Sequence, residues 1–291
     1  MKILLHIAFY CLLATTTFSQ QRLEKEKKYL IADGDTELNS QILDALFSDG
    51  AAFVKNSSIS SQSSIEQFTD EYFETTANQL HDQQLSLRYR ERRQSNNQEK
   101  KLVQFKGKLS SSSDIQFEYK FDVPELPDRN DIYGRHPLLG YVDKDDRERL
   151  TFELSRFDVI AEKLNATFKI RQQRQRWYLT DSIGDLLTIS LDQVRLMNIP
   201  YHRFTELEIE INENRYTSGN INERAYLDAK QKEVVNLIEA EMSSMVVDQR
   251  SKYEKMYSLI DGSVISKVKH AFIWVIYGVI VLLAGIKLNG I

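Results

Sequence analysis

One cysteine, five histidines and no excess of positive charge are the scarcities that define this 291-residue chain. Cys11 lies inside an N-terminal apolar run, so a processed chain would carry neither disulfide nor thiolate chemistry. The histidines show neither catalytic-triad nor zinc spacing. A formal net charge of −4 removes the bulk basic field expected of a nucleic-acid binder, so no nucleic-acid partner is expected. No internal repeat is visible. What remains, 42% hydrophobic and 27% charged residues, is ordinary for a folded globular body.

The two ends differ from the rest. Lys2, a mostly apolar stretch Ile3–Ala14 and small residues at Thr17 and Ser19 have the layout of a secretory leader over 1–19. Residues preceding Cys11 do not form a lipobox. Ala271 to Ile286 carries no charge and would span roughly 24 Å as a helix, short of a ~30 Å hydrocarbon core. Lys269 and Lys287 could snorkel to the interfaces and close that gap. These features predict an exported body on a C-terminal transmembrane anchor at 270–287, with a helical stalk at 246–269. Lys267 and Lys269 would then lie outside, against the positive-inside bias.

Between the ends, strands alternate with unusual regularity. Charged residues occupy every second position in Glu24-Lys25-Glu26-Lys27-Lys28, Leu87-Arg88-Tyr89-Arg90, Phe105-Lys106-Gly107-Lys108, Phe117-Glu118-Tyr119-Lys120 and Glu206-Leu207-Glu208-Ile209-Glu210. In a strand these project from one face. Further strands are expected at 67–75, 168–179 and 186–194, helices at 36–47 and 150–164, and one long helical pattern from Glu223 to about Ile260. The Ser-rich stretch 56–64 reads as a loop, and Pro124 and Pro127 end a strand.

About eight mostly antiparallel strands with inserted helices predict an α+β fold, an eight-stranded antiparallel β-barrel with covering helices. One-signed pairs at i, i+2 are unfavourable on an open solvated face. Helices covering the apolar faces outside would turn the charged faces inward. Such an interior suits a polyanion among Lys and Arg, and Mg²⁺ or Mn²⁺ among carboxylates.

The order of these strands resembles the triphosphate tunnel metalloenzymes, the CYTH superfamily, over roughly residues 22–245. Its opening Glu-x-Glu-x-Lys matches Glu24, Glu26 and Lys28, and its aromatic strand end matches Tyr72-Phe73-Glu74-Thr75. The Leu-Arg-x-Arg strand matches Arg88 and Arg90, followed by Lys106 and Lys108, then Glu118, then Arg174 and Arg176 before Trp177, Asp192, and finally Glu208-x-Glu210. The resemblance implies a tunnel domain at 20–245 that hydrolyses a triphosphate, inorganic triphosphate or short polyphosphate above others.

On that resemblance, Glu24, Glu26, Glu208 and Glu210 would hold the metal. Lys28, Arg88, Arg90, Lys106, Lys108, Arg174 and Arg176 would bind substrate. Glu118 and Asp192 would serve catalysis by positioning water or orienting a base. Two departures stand out. Gln116 occupies a position where the family often has Arg, and Lys169/Arg171 competes with Arg174/Arg176 with opposite parity. A membrane-anchored, non-catalytic polyanion-binding module is the competing class. A polyphosphate polymerase or nucleotide-processing tunnel remains a further alternative.

Overall fold

Period-two alternation becomes a closed wall in the computed structural model, which describes residues 22–32, 36–94, 98–108, 115–124 and 136–262. The leader at 1–19 and the anchor at 270–287 lie outside the described residues. Among the described residues no helix is long and apolar enough to cross a membrane.

The chain runs β1 (Arg22–Ile31), α1 (Thr36–Phe47), α2 (Ala52–Asn56), β2 (Ser60–Glu74), α3 (Gln79–Asp82), β3 (Leu85–Gln94), β4 (Glu99–Lys108) and β5 (Ile115–Asp122). Then follow α4 (Lys144–Ser155), β6 (Asn165–Thr180), β7 (Asp185–Leu196), β8 (Arg203–Ile211), α5 (Glu213–Ser218), α6 (Ile221–Glu241), β9 (Met245–Val247) and α7 (Lys252–Asp261). Strand order is β5-β4-β3-β2-β6-β7-β8-β1-β9, with β1 also paired to β5. Every pairing is antiparallel. β1 closes the ring by changing partners along its length: Arg22–Lys25 face β5, and Glu26–Ile31 face β8. The result is the expected eight-stranded barrel, with β9 added beside the far half of β1.

Helices cover the outer faces. Trp177, Ile189, Leu207 and Ile209 pack beneath Leu43 and Phe47 of α1 and Leu227, Val234 and Ile238 of α6. On the opposite wall Leu87, Val103, Phe105 and Phe117 pack with Leu139, Leu150 and Leu154 around α4. Each such fully buried side chain is worth roughly 1.5–3 kcal/mol, and this burial is what forces the charged faces inward. Gly107 belongs to the second cluster for lack of room. A Cβ there would lie 2.4 Å from Leu85 Cδ2 and 2.7 Å from the Phe117 ring.

Three expectations fail. The serines expected in a loop extend β2, because Ser60–Ser64 pair in register with Thr180–Arg176 of the long β6. The helix expected at 150–164 begins earlier, at Lys144, where the Asp143 carboxylate accepts the Asp146 N–H, and it ends at Ser155. The long helix expected from 223 to 260 is broken after Glu241 by β9, which pairs Met245–Val247 with Ile31–Tyr29. A capping box of Ser251 and Glu254 then starts α7. Far from forming a stalk, α7 turns into one end of the barrel and buries Lys252, Tyr253, Lys255 and Met256.

Candidate active site

Inside the barrel, a cavity of about 110 Å³ is lined by eight cationic and five acidic side chains. The cations are Lys28, Arg88, Arg90, Lys106, Lys120, Arg174, Arg176 and Lys252; the acids are Glu24, Glu26, Glu118, Glu208 and Glu210. Arg90, Gln104, Lys120 and Arg176 also line a wider 1310 Å³ opening toward Arg92, Lys100 and α4, which is the open mouth. The other end is closed by α7, whose Tyr253 and Met256 pack against Tyr72, Ile170, Val194 and Phe204.

Of the residues expected to act, all line this cavity except Lys108 and Asp192. Lys108 shares their face but lies one row beyond Lys106, opposite Gln116. Asp192 shares the inward face but lies beneath the lining side chains, fully buried against Arg174 and Lys252. The parity conflict in β6 resolves toward Arg174 and Arg176; Arg171 faces outside, and Lys169 pairs with Glu71 at 3.2 Å.

Buried acids fix the arginines in place. Asp70 takes Arg90 Nε and Nη2 at 2.6 Å each and Arg88 Nη1 at 3.3 Å. Burial pushes the Asp70 carboxyl up, but Arg90 and then Arg88 outweigh it and hold it below the usual range. Arg174 donates from Nε to Asp192 at 2.5 Å and from Nη2 to Glu208 at 2.6 Å. Phe68 points inward with the Arg90 guanidinium 4.3 Å and the Arg174 guanidinium 5.5 Å from its ring centre.

Among the described residues two groups of carboxylates converge within 4.8 Å: Glu24, Glu118 and Glu213, and Asp192, Glu206 and Glu208. The expected quartet Glu24, Glu26, Glu208 and Glu210 is not one of them, because β1 and β8 set its members side by side along the wall. Both convergent groups already hold cations. Lys106 lies 2.6 Å from Glu24 and 2.9 Å from Glu118, and Lys120 bridges Glu118 and Glu213 at 2.5 and 2.9 Å. Lys252 reaches Asp192 at 2.9 Å and Glu208 at 2.8 Å and also pairs with Glu206, which accepts from Lys255 at 2.6 Å.

These partners divide the acids. Burial would raise Glu208, but Lys252, Arg174 and Lys28 hold it well below its ordinary value. Burial would also raise Glu118, and Lys106 and Lys120 hold it well below. Glu24 is raised well above the usual range by burial and by the neighbouring Glu118 charge, and Glu210 is raised by burial and by Glu26. Glu26 and Glu210 face each other directly across β1 and β8. Among the described residues Glu210 has no hydrogen bond or ion pair, whereas Glu26 takes Lys28 at 2.6 Å and Gln116 at 2.9 Å. An all-oxygen pair with unbalanced negative charge fits a hard divalent cation.

Several of these residues receive no site role from the sequence, although Lys120 and Glu206 are read there on the charged face. Lys120 and Glu206 lay in plain alternation and needed only the barrel parity. Asp70 and Phe68 sat in a strand read for its aromatic end. Lys252 and Lys255 gave no signal as tunnel residues, since a helix outside the barrel pattern supplies them.

A family model described as CYTH domain matches residues 49–233. Similar solved structures include the PH1819 protein from Pyrococcus horikoshii OT3, at 16% identity, 81% coverage of this chain, 98% of that chain and TM-score 0.47. HpAC1 from Hippeastrum, described as having a dominant triphosphatase activity, has 16% identity, coverages of 81% and 95%, and TM-score 0.46. The Pct1 RNA triphosphatase of S. pombe has 10% identity, coverages of 84% and 92%, and TM-score 0.37. No curated protein matches the chain.

Proposed function

The chain belongs to the CYTH domain family, and from that premise we propose that it hydrolyses a triphosphate, inorganic triphosphate or short polyphosphate, inside the barrel with Mg²⁺ or Mn²⁺. The observation that carries this reading is the cavity itself: cations held rigidly by buried acids beside the facing carboxylates Glu26 and Glu210.

Arg88, Arg90, Arg174 and Arg176 offer N–H groups to phosphoryl oxygens, pre-oriented by Asp70, Asp192 and Glu66, so little side-chain ordering is needed on binding. Lys28, Lys106 and Lys120 add point charges. Glu26 and Glu210, with Glu24 and Glu208 flanking them, would hold the cation, which supplies Lewis-acid neutralisation of the developing phosphate charge. Glu118, pinned between Lys106 and Lys120, orients those lysines, and its depressed pKa makes it a weak proton acceptor. Asp192 orients Arg174.

Closure by α7 supports hydrolysis at a chain end over polymer extrusion, because among the described residues Tyr253 and Met256 pack across the end a growing polyphosphate would have to leave by. The second reading, a polyanion-binding module without turnover, is favoured by the internal lysines that already neutralise Glu24, Glu118 and Glu208. We further propose that the 1–19 leader exports the body and that 270–287 anchors it; protease accessibility of the body in intact cells tests this.

Purified protein with Mg²⁺ or Mn²⁺ should release phosphate from tripolyphosphate. Glu210→Gln should lower the rate at least a hundredfold, with the thermal melt retained. Tripolyphosphate binding without release across pH 6–10 would establish the binding module instead.

A further inference from the structure

Beyond Leu179–Leu187–Ile211, the outward face of β6, β7 and β8 is a ladder of four cross-strand rows. Trp177–Ile189–Ile209 and Gln175–Leu191–Leu207 come first, followed by Gln173–Gln193–Thr205 and then Arg171–Arg195–Arg203. α1 covers the first two rows, where Asp44 accepts Trp177 Nε1 at 2.9 Å and Ser40 donates to Gln175 at 2.7 Å. Of the last two rows only Thr205 is buried, its hydroxyl 3.1 Å from that of Thr36. The other five side chains are exposed among the described residues, and the rows floor a 570 Å³ groove edged by Thr36 and Glu37 at the start of α1.

Three arginines directly opposite one another are an unfavourable arrangement for a sheet face unless an anion sits among them. All three are exposed, and among the described residues none has a hydrogen bond or ion pair to a carboxylate. The internal arginines Arg88, Arg90, Arg174 and Arg176 are all paired with acids. The difference marks the outer row as a place for an external partner.

Its position in the barrel says which partner. Just past the row, the β7–β8 connection exposes Met197 (40%) and Tyr201 (65%). Ile199 of that connection packs into the same apolar cluster as Leu259 and Ile260 of α7. Ile260 at this rim precedes the uncharged run that begins at Ala271 by eleven residues. Eleven residues reach at most about 40 Å, so a bilayer holding that run lies within about 40 Å of the rim. Arginines above an exposed Tyr and Met reproduce the chemistry of a membrane interface.

We propose that this rim is a membrane-contact surface and that Arg171, Arg195 and Arg203 take the phosphate groups of anionic lipids. The arginines fork onto headgroup oxygens, Tyr201 and Met197 enter the interface, and the open mouth at Arg92 and Lys100 points away from the bilayer. The active site then draws its substrate from bulk solvent.

The test uses the full chain, with Cys11→Ser and a dye on Tyr201→Cys, reconstituted in vesicles of neutral phosphatidylcholine or of phosphatidylcholine mixed with phosphatidylserine. Both kinds carry spin-labelled lipid as quencher. Quenching should be several-fold stronger in the anionic vesicles. The triple change Arg171→Gln, Arg195→Gln, Arg203→Gln should abolish that difference, and the triple change to Lys should keep most of it. A dye on Glu99→Cys, at the mouth, should stay unquenched in both. Circular dichroism melts establish that each variant is folded; if the triple Gln chain is not, Arg195→Gln alone should halve the difference. Equal quenching in both vesicle types, or a difference that survives triple Gln, overturns the proposal. Loss of the signal on adding soluble tripolyphosphate, with no dependence on lipid charge, also overturns it and assigns the row to a soluble anion. A chain that stays out of vesicles overturns both the anchor and the rim.

Discussion

Lys252 Nζ lies 2.8 Å from Glu208 Oε1, so a helix outside the strand pattern puts an ammonium on a carboxylate expected to bind metal. The same ammonium touches Asp192 and Glu206. In the metal-free protein Lys252 is the counterion of three buried acids, which raise its own pKa against the opposing effect of burial.

Lys252→Gln should therefore expose uncompensated buried charge and destabilise the metal-free protein by about 3–5 kcal/mol. If a divalent cation can take the place of that ammonium, Mn²⁺ should raise the melting temperature more in Lys252→Gln than in the unaltered protein. Melts with and without Mn²⁺ decide the matter: equal shifts would mean that Lys252 and the metal do not share those acids.

Tyr253 ties the closing helix to the wall. Its hydroxyl donates to Glu74 at 2.7 Å, and Glu74 also accepts the N–H groups of Thr75, Leu80 and His81. Tyr253→Phe keeps the ring stacked on Phe168 and removes one bond to a charged group, a loss of about 2 kcal/mol. Hydrogen exchange should quicken in α7 and leave β6 and β7 unchanged. Uniform quickening would show that α7 opens only with the whole barrel.

Asp70 makes the fold acid-sensitive. Its folded pKa is depressed, so its contribution is full above the ordinary carboxylate value of about 4 and is lost as pH falls toward the folded value. Asp70→Asn should cost about 3 kcal/mol at neutral pH, because Arg90 stays buried with a weaker partner. It should also flatten the fall in stability below about pH 4. Urea titrations across pH test this, and parallel acid limbs for the two proteins would rule it out.

Much of the barrel was legible because alternation is a local property. Glu24-x-Glu26-x-Lys28 and Glu206-x-Glu208-x-Glu210 each announce a face, and apolar neighbours such as Leu207 and Ile209 announce the other. The sites of misreading were those where pairing overrode local composition. Ser60–Ser64 became strand because sixteen-residue β6 offered partners, and the apparent helix beyond Glu241 was interrupted because β1 offered an edge to Met245–Val247.

The sequence by itself determined which side chains face the same way along each strand, and hence that a charged interior and a covered apolar exterior exist. Period two is set by backbone geometry within one segment. Only the tertiary structure decided which charges meet. Glu26 faces Glu210 because of the β1–β8 register, Glu118 is pinned between Lys106 and Lys120 by β4–β5, and Lys252 arrives from a helix folded back through the barrel end. Coulombic coupling depends on distances of a few ångströms between residues far apart in the chain. No local pattern carries that information.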